Sequence, residues 1–247
     1  MELNGRVALV TGAGQGVGRG IAIAFARAGA RVVLTGRTLA KLERVTGEIG
    51  SGLALEADMT ERAQIARVVE RIEAEYGHLD CLVNAAYDVR VGLFDALTAD
   101  DARADWNSGF NGPLRCMQAC FPLLARSKGN VINVGAATGL KPDTTTFTLY
   151  ASTKEALRSL TRTAAMEWAS HGIRVNALIP LATSPSFSEW GHENPDAYQT
   201  ILESIPLKFL GDPVTDVGPG AVFLASDDAH YLTGTTLMLD GGRGYLR

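Results

Sequence analysis

Thr11-Gly12-Ala13-Gly14-Gln15-Gly16-Val17-Gly18, closing the apolar run over residues 6–11, decides how the rest of the chain reads. Its glycines, spaced G-x-x-x-G-x-G, permit a tight turn and bring backbone close to a bound pyrophosphate. The helix that follows aims its N-terminus at that charge. In this helix Val17, Ile21, Ala24, Phe25 and Ala28 recur at i, i+4, i+7, i+8 and i+11, the spacing of one apolar face. A glycine-rich turn alone is weak evidence, because strand-to-helix turns often contain glycine. Its place between an apolar strand and an amphipathic helix is what favours a dinucleotide site.

Outward from this turn, β-branched runs at residues 6–11, 30–35, 52–57, 79–84, 130–134, 173–179 and 235–240 read as strands. Helical patterns lie between them near residues 17–28, 38–49, 60–76, 98–126, 149–170 and 214–225. Apolar strands alternating with helices predict an α/β fold with a parallel sheet covered on both faces. The expectation is a single Rossmann-like, doubly wound domain over residues 1–247, with seven strands and a substrate loop or lid around 181–210. A chain of this length could also hold two small domains, but nothing in it reads as a linker, repeat or low-complexity tract. Ligands of such sheets bind beyond the carboxyl ends of the strands, where the informative motifs all fall.

The hydrophobic share of 46% suffices for one sizeable core. A net charge of −4, from 23 basic and 27 acidic residues mixed along the chain, argues against a nucleic-acid surface. No apolar segment reaches the ~18 residues of a membrane span, and no signal-like segment appears. Three cysteines without a secretion signal predict reduced thiols and a cytoplasmic protein; Cys116 and Cys120, four apart on a helix, read as packing. His78, His171, His192 and His230 have no metal-ligand spacing, so no metal is expected.

Tyr150-Ala151-Ser152-Thr153-Lys154 lies far downstream in a helical pattern. Residues four apart on a helix share a face, with Cβ atoms ~5–6 Å apart. A free phenol titrates near ~10, and a neighbouring ammonium is expected to lower that value. The pair therefore predicts an acid–base couple able to exchange a proton with a carbonyl oxygen.

With both motifs in place, the chain resembles the short-chain dehydrogenase/reductase family from end to end. T-G-x-x-x-G-x-G matches Thr11 to Gly18, and the acid after strand three matches Asp58. The family's N-N-A-G survives as Asn84-Ala85-Ala86-Tyr87, and Y-x-x-x-K matches Tyr150 and Lys154. Pro180 follows strand six, with Leu181 where glycine is usual; Leu232-Thr233-Gly234 through Asp240-Gly241-Gly242 completes the match. The resemblance implies hydride transfer between a nicotinamide and a small carbonyl or alcohol substrate. It implies that Lys154 also holds the nicotinamide ribose. Gly12, Gln15, Gly16, Val17, Gly18, Asp58, Met59, Asn84, Ala85, Pro180 and Thr183 would join Tyr150 and Lys154 around the cofactor. It further implies a homotetramer or homodimer paired through the helices near 98–126 and 149–170.

An acid ending strand two would hold the adenosine ribose of NAD; here Gly36 and Arg37 stand instead. A guanidinium suits the 2′-phosphate of NADP(H), which is favoured over NAD(H), the alternative being a solvated loop arginine. Two further positions depart from the family. In Asn133-Val134-Gly135-Ala136-Ala137-Thr138-Gly139, Ala136 replaces the serine that holds the substrate oxygen; Gly109 replaces the helix asparagine of the proton relay. Thr138, Thr144, Thr145 or Thr146 could supply the hydroxyl, and Asn107 or Asn111 the amide if the helix is locally shifted. These departures keep open a non-redox isomerase or lyase, or a nucleotide-binding protein with little catalysis. Tyr87, Val89, Val91, Leu140, Phe147, Leu181, Phe187, Trp190, Tyr198, Ile201 and Leu202 predict a pocket for an apolar or cyclic substrate. Arg90, His192 and Lys208 read as solvated charges that an anionic substrate could also meet.

Overall fold

The computed structural model describes residues 2–140 and 146–244. Seven strands form one sheet: β1 Val7–Thr11, β2 Arg31–Gly36, β3 Leu53–Glu56, β4 Cys81–Asn84, β5 Asn130–Val134, β6 Arg174–Pro180 and β7 Thr236–Leu239. Every pairing is parallel and the order is β3-β2-β1-β4-β5-β6-β7. The chain winds outward from β1 through β2 to β3, then returns to lay β4 on the other side of β1. The crevice above that reversal is where a doubly wound sheet binds its ligand.

Side-chain alternation along each strand divides the core into two layers. From β1, Ala8 and Val10 join Ile21 and Phe25 of α1 (Gly16–Arg27) and Leu42 and Val45 of α2 (Leu39–Ile49). Val7 and Leu9 point the other way. They meet Ile65 and Val68 of α3 (Arg62–Tyr76), Leu123 and Leu124 of α5 (Gly112–Ser127), and Ala164 of α6 (Thr148–Trp168). The seven-stranded parallel sheet with helices on both faces expected from the sequence is the one observed.

The long pattern near 98–126 divides into three. Thr98 caps α4 (Ala99–Trp106) in a capping box with Asp101, residues Asn107–Asn111 form a π turn, and α5 continues from Gly112. The lid region folds as α7 (Pro185–Glu193) and α8 (Pro195–Ser204), and α9 (Gly218–Ala225) follows a second π turn. All three cysteines are buried free thiols, as packing residues should be; burial pushes Cys116 up to about 12. Among the described residues no helix is long and apolar enough to cross a membrane, and no cluster of His, Cys, Asp and Glu is arranged to hold a metal.

Candidate active site

A cleft of about 450 Å³ opens above the sheet reversal. The phosphate loop forms its floor, with Gly12 at φ +67° and Gly16 at φ +54°, a region that disfavours other residues. A Cβ on Gly12 would come within 2.8 Å of Ala86 Cα, so glycine is also what lets the loop after β4 pack this closely. Thr11 ties the two together: its Oγ1 accepts the N–H groups of Ala85 (3.0 Å) and Ala86 (3.1 Å) and donates to Val83 O. α1 begins at Gly16 and presents its N-terminus to the cleft.

Gly12, Gln15, Gly16, Val17, Gly18, Arg37, Asp58, Met59 and Ala85 all line this cleft. Arg37 is 61% exposed, with Nη1 3.5 Å from Asp88 Oδ2; Lys41 donates to Gln15 Oε1 at 2.7 Å. Asp58 accepts from the N–H and hydroxyl of Thr60, both at 2.8 Å, which holds the carboxylate in a fixed turn. Met59 buries its side chain and so offers the cleft its backbone. Asn84 is not among the residues lining the cleft. Its buried amide donates to Asn133 Oδ1 at 2.8 Å, tying β4 to β5 beneath the cleft. Pro180 ends β6. Thr183 lines an adjoining groove, its N–H donating to Gly211 O at 2.9 Å.

Tyr150 and Lys154 stand on the first turns of α6. Lys154 Nζ is buried, donates to Val134 O at 2.7 Å, and lies 4.7 Å from the ring centre of Tyr87 and 5.8 Å from that of Tyr150. Burial lowers this ammonium to about 8, with the Asp105 carboxylate opposing the shift. Tyr150 corrects the expectation of a lowered phenol. Burial pushes it up to about 12, and the Asp105 charge adds to the rise.

The two departures from the family pattern have different structural contexts. Ala136 is buried beyond β5, and nearby Thr138 has a buried hydroxyl with no hydrogen-bond partner among the described residues. Thr144 and Thr145 lie outside the described residues; Thr146 is exposed, its carbonyl accepting Gly92 N–H at 3.0 Å. Gly109 sits in the π turn, so the helix is locally shifted, but neither neighbouring asparagine takes over its space. A Cβ on Gly109 would lie 2.2 Å from Tyr87 Cε2 and 2.4 Å from Thr153 Cγ2, because the Tyr87 ring fills that volume. Asn107 Oδ1 is committed to Arg115, at 2.9 Å.

Sequence reasoning missed what anchors that ring. Tyr87 donates its hydroxyl to Asp105 Oδ1 at 2.5 Å, Thr153 donates to Asp105 Oδ2 at 2.6 Å, and Arg90 N–H reaches Oδ1 at 3.1 Å. Asp105 is fully buried. Its position four residues before Gly109, on the same helical face, was the signal available. On the substrate side, Phe187 stacks on Trp190 with ring centres 5.5 Å apart and meets Tyr198 at 5.6 Å. Val89, Val91, Leu93 and Phe94, in the segment between β4 and α4, are exposed. Arg90 pairs with Asp88 and Lys208 donates to Glu203 O, so both cations are engaged within the chain.

A glycine-floored cleft at the reversal of a doubly wound sheet, with a tyrosine–lysine couple behind it, defines a nucleotide-dependent α/β oxidoreductase. A family model described as enoyl-(acyl carrier protein) reductase matches residues 12–243, and the chain belongs to the short-chain dehydrogenase/reductase family. It is 35% identical over 253 residues to a 12alpha-hydroxysteroid dehydrogenase of a Clostridium species, covering 98% of this chain and 97% of that one. Among solved structures it is similar to a Pseudomonas aeruginosa RhlG/NADP active-site complex (TM-score 0.91, 28% identity, 98% and 97% of the two chains covered). It is also similar to a 3-ketoacyl-(acyl-carrier-protein) reductase from Brucella melitensis complexed with NADH (TM-score 0.91, 31% identity, 99% and 100% covered). The protein is an NAD(P)-dependent oxidoreductase that interconverts a carbonyl and an alcohol on a small molecule.

Proposed function

We propose that the cofactor is NADP(H) and that the substrate is a small apolar or cyclic ketone, aldehyde or alcohol. The observation that carries the cofactor assignment is the pair of cations at the adenosine end of the cleft. Arg37 follows Gly36, and Lys41 bridges to Gln15 of the phosphate loop. No acid ends β2 to repel a 2′-phosphate, and Arg37 and Lys41, both lining the cleft, are cations suited to such a charge. The 12alpha-hydroxysteroid relative and the aromatic lid support an apolar ring as substrate.

The bound nicotinamide supplies or accepts the hydride. Gly12 and Gly16 let the backbone approach the pyrophosphate, and the N-terminus of α1 offers its N–H groups to that charge. Tyr150 transfers the proton at the substrate oxygen through its phenolic Oη. With that phenol raised to about 12, it is protonated at neutral pH, the form that donates during carbonyl reduction. Lys154, fixed by Val134 O and with its ammonium 5.8 Å from the Tyr150 ring centre, would hold the nicotinamide ribose when the cofactor is bound. The Thr138 hydroxyl, buried and without a partner among the described residues, is the donor proposed for the substrate oxygen in place of the serine absent at Ala136.

The test is a panel of cyclic ketones and secondary alcohols followed by nicotinamide absorbance, with NADPH and NADH binding measured in parallel. Turnover with NADPH is expected. Tight NADH binding with no preference for NADPH would reject the cofactor assignment, and substrate conversion without change in nicotinamide would reject the redox role.

A further inference from the structure

We propose that Tyr87 is a positioning residue, its ring anchored through Asp105 and seating the Lys154 ammonium where relatives use a helix asparagine. This rests on the reading of Tyr150 and Lys154 as the reacting couple. The first observation is steric. A side chain at position 109 and the ring at position 87 cannot share one volume, since even a Cβ on Gly109 falls 2.2 Å from Tyr87 Cε2. Tyr87 itself stands where the family's N-N-A-G has glycine. The two departures are one exchange, a large residue entering from the strand-four loop as the helix gives up its own.

The second observation is the anchor. Asp105 is fully buried and accepts from Tyr87, Thr153 and the backbone N–H of Arg90. A buried carboxylate satisfied by three donors holds its partners firmly, because loosening any of them leaves the charge undersolvated. Thr153 adjoins Lys154 on α6, so the same carboxylate fixes the tyrosine ring and the helical turn carrying the reactive pair. The third is the ammonium, which lies 4.7 Å from the Tyr87 ring centre, within cation–π range. Tyr87 and Tyr150 meet edge-on, their ring centres 5.1 Å apart.

A ring face attracts the ammonium without presenting a lone pair to its N–H groups, unlike an amide oxygen. The exchange thus keeps a seat for Lys154 and removes a lone-pair hydrogen-bond acceptor from beside it. The groups facing Lys154 are Tyr87 from the strand-four loop, Asp105 from α4, the Val134 carbonyl from β5, and Tyr150 on its own helix.

Two measurements test this. The first is an NMR titration of the Lys154 side-chain nitrogen in the protein without nucleotide, for wild type, Tyr87→Phe and Tyr87→Leu. Phenylalanine keeps the ring, so its titration should stay within a few tenths of a pH unit of wild type, whereas leucine should lower it by about one pH unit. An unchanged or raised midpoint in Tyr87→Leu would overturn the seat. The second is NADPH affinity, by fluorescence titration, of Tyr87→Gly, Gly109→Asn and the double variant. Each single change should weaken binding, and the double should bind about tenfold tighter than additivity allows. Additive losses, or a Gly109→Asn protein that binds as wild type, would overturn the exchange. Wild type binding neither NADPH nor NADH would instead count against the functional reading, and the titration would remain decisive.

Discussion

Tyr150 is raised to about 12 and Lys154 lowered to about 8, which orders the two titrations and gives the pH dependence its direction. Reduction needs the phenol protonated and the ammonium charged. As pH rises, Lys154 loses its proton first, so kcat/KM for carbonyl reduction should fall with a midpoint near 8, well below the phenol. Lys154→Arg carries a charge that does not titrate there, and should remove that limb even if its rate is lower. The stability contribution has the opposite sense. A lysine lowered by folding binds fewer protons than in the unfolded chain, so its burial cost is relieved as pH rises from about 8 toward its ordinary value of 10.5. Tyr150→Phe, which deletes only the hydroxyl, should cut turnover by ~10²–10⁴ while NADPH affinity changes little. Undiminished turnover would remove this tyrosine from the proton transfer. Arg37→Ala should weaken NADPH by ~10–150-fold, the worth of a charged hydrogen bond, and NADH far less. Equal losses measured for both nucleotides would reject contact with a 2′-phosphate.

At the scale of elements, the strands were legible because parallel strands buried on both faces must be apolar throughout. β5, for example, is Asn-Val-Ile-Asn-Val with every residue buried. Its two asparagines break that rule and were hard to interpret. Asn133 links the amide of Asn84 to the Thr161 hydroxyl, a partnership spanning β4, β5 and α6. The π turn left no mark, because inserting one residue into a helical ladder changes neither composition nor the apolar period on either side. The lid helices α7 and α8 were read only as a region, since Pro195 interrupts two short segments that bury no residue fully. The most consequential omission, Tyr87 with Asp105, joins residues 18 apart through a buried carboxylate that a local pattern does not distinguish from a surface charge. Ala136→Ser bears on the loop following β5. If that site lacks only a donor, turnover should rise by up to ~10²-fold. If Thr138 already supplies it, the added hydroxyl should leave the rate unchanged or lower it, and Thr138→Val should then abolish most activity in the same nicotinamide assay.

At the scale of the whole molecule, Met166 and Trp106 are among the large apolar side chains left exposed. Met166 of α6 is 81% exposed, and Trp106 at the end of α4 is 41% exposed, its ring centre 5.0 Å from that of Phe110. Both lie on the helices that the family resemblance pairs between subunits. The opposite faces of those helices are occupied: Leu157, Ala164 and Ala165 of α6 are buried against the fold. The apolar residues facing outward are therefore free to meet a second copy. Fully burying one such side chain contributes ~1.5–3 kcal/mol, and a two-fold interface counts each residue twice. We accordingly expect a homodimer or homotetramer, with a mass by light scattering of two or four times 26.2 kDa at micromolar concentration. Met166→Asp places a carboxylate in each copy of that contact without touching the subunit core, and should shift the species toward the single-chain mass while the circular dichroism of the fold persists. Such an interface would share α6 with Tyr150 and Lys154. Dissociation should therefore lower turnover more than it lowers NADPH affinity. A wild-type protein that scatters as one chain at these concentrations would refute the assembly outright.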